Sequence, residues 1–364
     1  MIFRLLERYL KILASYNLGH PLYMPDSVSM VITNKCNLRC EMCDFWKDNK
    51  DSIDILALDE VKRLFENLAS CGVKAVLFTG GEPFLRKDMP EILSLAKDNG
   101  LHTTLITNGT LVTEDNVLQY ASNTNLFYVS LDAPSKEQHE AVRGVPGIFE
   151  KIIRSVTLLV KTIKNNSFPS KVVLCSTITP HGIHDPVKMV ELGRQLGVDG
   201  IIYNPATSVT YGYTTLKSLL VDSASDAYCE MIDNIIRLMR DSRNLIKSNP
   251  FYLAASKEFL KGNKKYYRFQ CYGGAYNGPL IAFDGAIFPC CAWNIPLGNI
   301  RDKSFSEIWK SKYAKEIRRK IKKGQCPVCY HHNRTVDFVI NAPFLFKDFK
   351  VLLEGYKAIF RMRI

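Results

Sequence analysis

The chain has 364 residues, of which 46% are hydrophobic, enough to bury the core of one large domain plus a smaller appendage and too apolar for a disordered chain. Eleven cysteines spread over that length are too dilute for a secreted disulfide scaffold, and no cleavable signal peptide is visible, so a reducing cytoplasmic setting is expected. The formal charge of +12 favours an acidic partner: a phosphorylated or nucleotide-linked substrate, an anionic membrane or an acidic electron carrier.

Residues 1–26 begin with an amphipathic helix. Arg4, Glu7, Arg8, Lys11 and Ser15 share one face, with Ile2, Phe3, Leu5, Leu6, Tyr9, Leu10, Ile12 and Leu13 around the rest. Such a helix either caps a core or lies on a bilayer surface. No uncharged apolar run is long enough to cross a membrane. Residues 27–214 alternate short β-rich runs with amphipathic helical stretches, the pattern of parallel strands joined by crossover helices. Six strands are predicted: Ser27–Thr33, Lys74–Thr79, His102–Thr107, Leu126–Leu131, Lys171–Thr177 and Gly200–Asn204.

After the first strand comes Cys36-Asn37-Leu38-Arg39-Cys40-Glu41-Met42-Cys43, spaced C-x3-C-x2-C. Three thiolates on one tight loop can hold three corners of a cubic [4Fe–4S] cluster and leave one iron open. A structural zinc knot, the alternative, pairs C-x2-C units and completes four ligands. The next helix repeats Leu58, Val61, Leu64, Phe65 and Leu68 at helical spacing, with Asp59 and Glu60 in its first turn. The second strand ends in the sharp turn Gly80-Gly81-Glu82-Pro83, and the third in Thr107-Asn108-Gly109, also read as a turn. The fourth ends in Ser130 and Asp132, with His139 and Arg143-Gly144 downstream. Each motif thus sits at the carboxyl end of a strand, the rim where α/β sheets and barrels place their sites.

Residues 215–270 form a helical bridge with Tyr228, Met231, Ile232, Ile235, Ile236 and Met239 on one face. Residues 271–335 hold a second constellation: Cys271, Gly285-x4-Cys290 and Cys326-Pro327-Val328-Cys329. Four thiolates saturate one [4Fe–4S] cube or one structural zinc. Cys291 is a substitute ligand, and Cys71, Cys175 and Cys229 read as ordinary buried thiols. Residues 336–364 are a basic amphipathic tail, open to the same two readings as the first helix.

From about residue 27 to 335, these motifs resemble the radical S-adenosylmethionine (SAM) enzymes. The resemblance implies an α/β fold, a partial (β/α)6 TIM-like barrel with a small C-terminal auxiliary-cluster domain. It implies that the open iron chelates SAM, that one electron splits the sulfonium, and that the resulting 5′-deoxyadenosyl radical abstracts a substrate hydrogen. Cys36, Cys40 and Cys43 would be the ligands and the reactive centre, and Met42 would cover adenine. Gly80, Gly81, Glu82 and Pro83 would receive the ammonium group, Ser130 the ribose and Arg143 the methionine carboxylate, which a guanidinium matches bidentately; His139 would be structural. Leu297-Gly298-Asn299-Ile300 and the helix over Phe305–Trp309 resemble the SPASM domain or its shorter relative, twitch. No cysteine follows Cys329, so one auxiliary cluster can be completed and the twitch-type pattern fits better.

A saturated second cluster suits electron transfer, which favours oxidation over neutral rearrangement. The expected activity is dehydrogenation of a sugar, aminocyclitol or lipid-linked glycan, with peptide modification second. A flavodoxin- or ferredoxin-like donor is implied, and peripheral membrane association stays open. The rival class, a metal-stabilised nucleic-acid-binding protein without catalysis, lacks an interleaved basic–aromatic patch near either cysteine group, so no nucleic acid is expected.

Overall fold

In the computed structural model the six expected strands form within a residue or so of the sequence bounds: β1 Ser27–Thr33, β2 Ala75–Gly80, β3 His102–Thr107, β4 Leu126–Ser130, β5 Lys171–Ile178 and β6 Gly200–Pro205. The structure describes residues 2–48, 55–206, 209–211, 214–216, 225–240, 245–263, 271–272, 276 and 278–326. The strands pair in sequence order and all in parallel. Ahead of β1 lies α1 (Ile2–Leu18), and the crossover connections that a parallel sheet needs are supplied by α2 (Leu58–Ser70), α3 (Met89–Asp98), α4 (Glu114–Asn123), α5 (Lys136–Arg143), α6 (Phe149–Asn165) and α7 (Pro186–Leu196). Val76, Phe78, Leu105, Phe127, Val129, Leu174 and Ile201 fill the interior of the sheet, as expected for strands covered on both faces. On α2, the predicted stripe Val61, Leu64, Phe65 and Leu68 is buried.

The bridge contributes α8 (Asp226–Leu238) and α9 (Pro250–Leu260), and Tyr228, Met231, Ile232 and Ile235 form the buried face of α8 as predicted. The boundary expected at residue 214 falls inside a hairpin, β7 (Val209–Tyr211) with β8 (Thr214–Leu216).

The C-terminal unit is a continuation of the barrel's own sheet. β9 (Leu280–Ile281) pairs in parallel with β1 through Ser29 and Met30, and β10 (Ala286–Phe288) and β11 (Gly298–Asn299) follow antiparallel, giving nine strands in the order β11-β10-β9-β1-β2-β3-β4-β5-β6. Two helices cover it, α10 (Phe305–Lys310) and α11 (Lys312–Lys322). The units are also pinned through side chains. Arg301 donates to both oxygens of Glu60 on α2 at 2.6 and 3.1 Å, and Asn67 accepts from the Phe305 amide.

The first helix departs from its expected packing. Ser15, expected on the polar outer face, is fully buried, because its hydroxyl donates to the Lys11 carbonyl and accepts from the Leu22 amide. Tyr16 packs edge-on against Tyr272 at 4.7 Å, so α1 caps the C-terminal unit, while Leu10 and Leu18 stay exposed. No helix among the described residues is long and apolar enough to cross a membrane. The basic tail 336–364 lies outside the described residues.

Candidate active site

The cysteine loop leaves the end of β1 and is stitched on both sides by main-chain hydrogen bonds. On one side the Gly81 amide donates to Thr33 O and the Glu82 amide to Lys35 O. On the other, the Arg39 amide donates to Arg143 O and the Glu41 amide to Val142 O. Both flanks require glycine. A Cβ on Gly81 would sit 1.9 Å from Lys35 O, and one on Gly144, at φ +68°, would sit 2.3 Å from Arg39 O. The glycines therefore admit the backbone of the cysteine loop.

Cys36, Cys40, Met42, Cys43, Gly80, Gly81, Ser130 and Arg143 all line one cavity of about 250 Å³ at the carboxyl rim. Burial pushes the Cys36 thiol up to about 11 and the Cys43 thiol up to about 12, and raises Cys40 as well. Three thiols that resist ionising alone, crowded in one cavity, suit a metal group whose own charge compensates three thiolates.

Of the turn expected to receive the ammonium group, Gly80 and Gly81 line the cavity, and Glu82 and Pro83 are not among its lining residues. Glu82 is fully buried and bound to the next strand end: Thr107 Oγ1 and the Phe84 amide donate to Oε1 at 2.7 and 3.1 Å, and the Asn108 amide donates to Oε2 at 2.7 Å. Burial lifts its carboxyl to about 7, against the pull of those bonds. Pro83 opens the short turn of helix that follows. Thr107-Asn108 is accordingly more than a turn, since both residues line the cavity and Asn108 Nδ2 donates to Asn37 Oδ1 in the cysteine loop.

Arg143 already has a partner within the protein. Its Nε and Nη2 donate to the two oxygens of Asp132 at 2.5 and 2.8 Å, and Nη1 points at Cys40 Sγ, 3.6 Å away. The carboxylate it grips bidentately is thus the protein's own. Burial works against the guanidinium's charge, but Asp132 and Cys40 more than offset it and raise its pKa. Asp132 also accepts from the Thr177 amide, so α5 is tied through it to β5. His139 is buried, as expected for a structural residue, and Nδ1 accepts from the Asp132 amide at 3.2 Å. Burial drops its pKa to about 4.

The far wall was missed from the sequence. Cys175, Thr177, Asn204 and Tyr252 line the cavity, and Asn204 Nδ2 reaches Cys175 Sγ at 3.4 Å. Cys175 is thus no ordinary core thiol. Burial moves it up to about 11.

Of the second constellation, Cys271, Cys290 and Cys326 are described, and Cys329 lies outside the described residues. Cys290 and Cys43 both pack against one apolar cluster of Val31, Phe45, Leu280, Ala282, Ala286, Phe288, Cys291 and Ala292.

An open, six-stranded parallel partial barrel with three cysteines converging at its rim, and a cysteine-bearing unit added to its first strand, defines an iron–sulfur enzyme of the partial-barrel class. Residues 30–192 match the radical SAM superfamily and residues 271–331 match SPASM, an iron–sulfur cluster-binding domain. The chain belongs to the radical SAM superfamily and carries a C-terminal SPASM domain; such proteins bind SAM and iron–sulfur clusters. Relatives include an AdoMet-dependent heme synthase of Methanosarcina barkeri, 28% identical across 84% of this chain and 88% of that protein. A second, from Oleidesulfovibrio alaskensis, is 29% identical across 84% and 80%. Among solved structures, SuiB of Streptococcus suis bound to the precursor peptide SuiA shares the fold, with a TM-score of 0.64 at 20% identity over 87% of this chain and 72% of that one.

Proposed function

We propose that this radical SAM enzyme oxidises its substrate by hydrogen abstraction, with Cys36, Cys40 and Cys43 holding the reactive [4Fe–4S] cluster and Cys271, Cys290, Cys326 and Cys329 the auxiliary one. When bound, the first cluster supplies the electron that cleaves SAM. The chain's own residues place and shield that chemistry. Met42 and Ser130 line the cavity and are assigned to the adenine and the ribose. Gly80 and Gly81 present bare backbone to the same space. Arg143 is a positioning residue that holds a positive charge at Cys40.

The observation that carries the oxidative reading is the apolar layer shared by Cys43 and Cys290. One packed apolar cluster touches both cysteine sites, so an electron leaving the substrate has a dry route towards a second acceptor. A rearrangement, which returns its electron, has no use for one.

For the substrate, the far wall offers neutral hydrogen-bonding groups, Thr177 and Asn204, beside the Tyr252 ring, and the lining's single cation, Arg143, is paired with Asp132. That lining suits a hydroxylated neutral ring: a sugar, an aminocyclitol or the sugar of a lipid-linked glycan. A second reading, an iron tetrapyrrole, is favoured by the heme synthases that match over most of both chains.

The test is 5′-deoxyadenosine release by the anaerobically reconstituted protein under dithionite, followed by mass analysis with aminocyclitols, nucleotide- and lipid-linked sugars, iron coproporphyrin and a peptide pool. Wild type is expected to release the nucleoside and to convert a sugar-class substrate to a product lighter by a pair of hydrogens. Cys40→Ala is expected to fall to background, and equal release by that variant would overturn the assignment. Conversion of iron coproporphyrin alone would replace the first substrate class by the second.

A further inference from the structure

The outer face of the cysteine loop carries a groove of about 600 Å³ lined by Cys36, Asn37, Leu38, Arg39, Trp46 and Lys47. Cys36 lines both this groove and the inner cavity. Among the described residues it is the one cysteine of the triplet open to both sides, since Cys40 and Cys43 line the inner cavity alone.

Basic side chains predominate at the groove. Arg39, Lys47 and, at the edge of the loop, Lys35 are exposed. Among the described residues, Asp44, 17% exposed, pairs with Lys47, and Glu41, 15% exposed, meets His181 at 2.6 Å. Between the cations sits a half-buried aromatic. Trp46 Nε1 donates to the Cys40 carbonyl at 3.3 Å, and Lys47 lies 5.3 Å from the ring centre. A fixed indole rimmed by cations has the make-up of a protein-binding anchor, since Trp and Arg dominate the energetics of interface centres.

The geometry points to this groove as the docking surface of an acidic one-electron carrier protein. This rests on the reading that the triplet holds the reactive cluster. Electron tunnelling falls off steeply with distance, so the favoured entry is where a ligand sulfur is reached from outside, and Cys36 lines the groove. Complementary charge steers a small acidic carrier to such a face and orients it there. In the transfer the carrier loses one electron and the cluster gains it; no bond changes and no proton moves.

A rival surface is α11, whose Lys312, Arg319, Lys322 and Lys323 are exposed. It belongs to the C-terminal unit, Lys322 is engaged with the Tyr16 carbonyl, and none of the triplet cysteines lines it.

The experiment compares cluster-loaded wild type with Arg39→Glu, Lys47→Glu, the double variant, and a Lys312→Glu/Arg319→Glu control. Binding of oxidised flavodoxin is measured by titration at two salt concentrations, and SAM cleavage is driven either by reduced flavodoxin or by dithionite. The double variant is expected to bind flavodoxin about tenfold more weakly, with a flatter salt dependence, and to need correspondingly more of it for SAM cleavage. Its dithionite-driven rate should match wild type, because dithionite needs no docking surface. Unchanged flavodoxin affinity in the groove variants would overturn the proposal, most directly if the α11 control is the one that weakens. The binding arm needs no turnover, so it decides the docking site even if SAM proves not to be cleaved and the reading of the triplet falls instead.

Discussion

The Asp132–Arg143 pair shows how single residues shape this site. A guanidinium in a buried wall needs a full set of acceptors, and the two oxygens of Asp132 supply the main ones. Replacing Asp132 by Asn keeps the shape and removes the charge, leaving Arg143 with an uncompensated buried cation. Breaking a buried pair in this way costs about 3–5 kcal/mol. We expect a loss of that size in urea unfolding of the iron-free chain under anaerobic conditions, and a loss below about 1 kcal/mol would show that water reaches the pair. From sequence, the resemblance marked Arg143 as a site residue and placed Asp132 in the same motif, but did not show that they partner each other. Glu82 was hidden in the same way, because a carboxylate after two glycines looks poised for a ligand until the third strand is placed beside it. Cys175 carried a usable signal, since it alternates by two with Thr177 on β5 and so shares its face; what the sequence lacked was which face turned inward.

At the level of elements, α2 and the C-terminal unit meet through Glu60, which does two jobs. Its Oε2 accepts from the Ala57 amide and so closes the start of the helix, while both oxygens accept from Arg301. The Arg301 guanidinium holds the Glu60 carboxyl well below its ordinary value, at about 2. A depressed carboxyl pKa means that the unfolded chain takes up protons first on acidification. Its stabilisation is therefore complete above about pH 4.5 and is lost as the pH falls towards 2. Because water reaches both side chains, the contribution is about 1 kcal/mol or less. Glu60→Gln should lower stability at neutral pH by that amount and flatten the loss between pH 5 and 3 in chemical unfolding curves. An unchanged acid limb would mean that the pair contributes nothing. The strands and α2 were legible in sequence because β-rich runs and a 3.6-residue stripe are local signals. The contact between residues 60 and 301 is not local, and neither is the reach of Tyr252 from α9 into the cavity.

Across the whole molecule, the pairing of β9 with β1 makes the appended domain supply three of the sheet's nine strands and ties its fate to the barrel. The two sequence matches, 30–192 and 271–331, would suggest separable units. The hydrogen-bonded register Ser29↔Leu280 and Met30↔Ile281 argues otherwise. We expect one thermal transition for both units. Ile281→Pro, which removes an amide at the junction of β9 with its neighbours, should move the whole transition down, by about 1–2 °C for each kcal/mol lost, without splitting it. Two transitions, only one of them shifted, would show that the sheet is continuous in form but not in cooperativity.

The stitching of the cysteine loop by main-chain amides has a consequence for sequence drift. Bonds from the amides of Arg39, Glu41, Gly81 and Glu82 are indifferent to side-chain identity, so the loop's course survives replacement of Arg39 or Glu41 by almost any amino acid. Proline is the exception, because it brings no N–H. Arg39 and Glu41 are therefore free to diversify for recognition while the curvature that gathers the thiols is inherited unchanged.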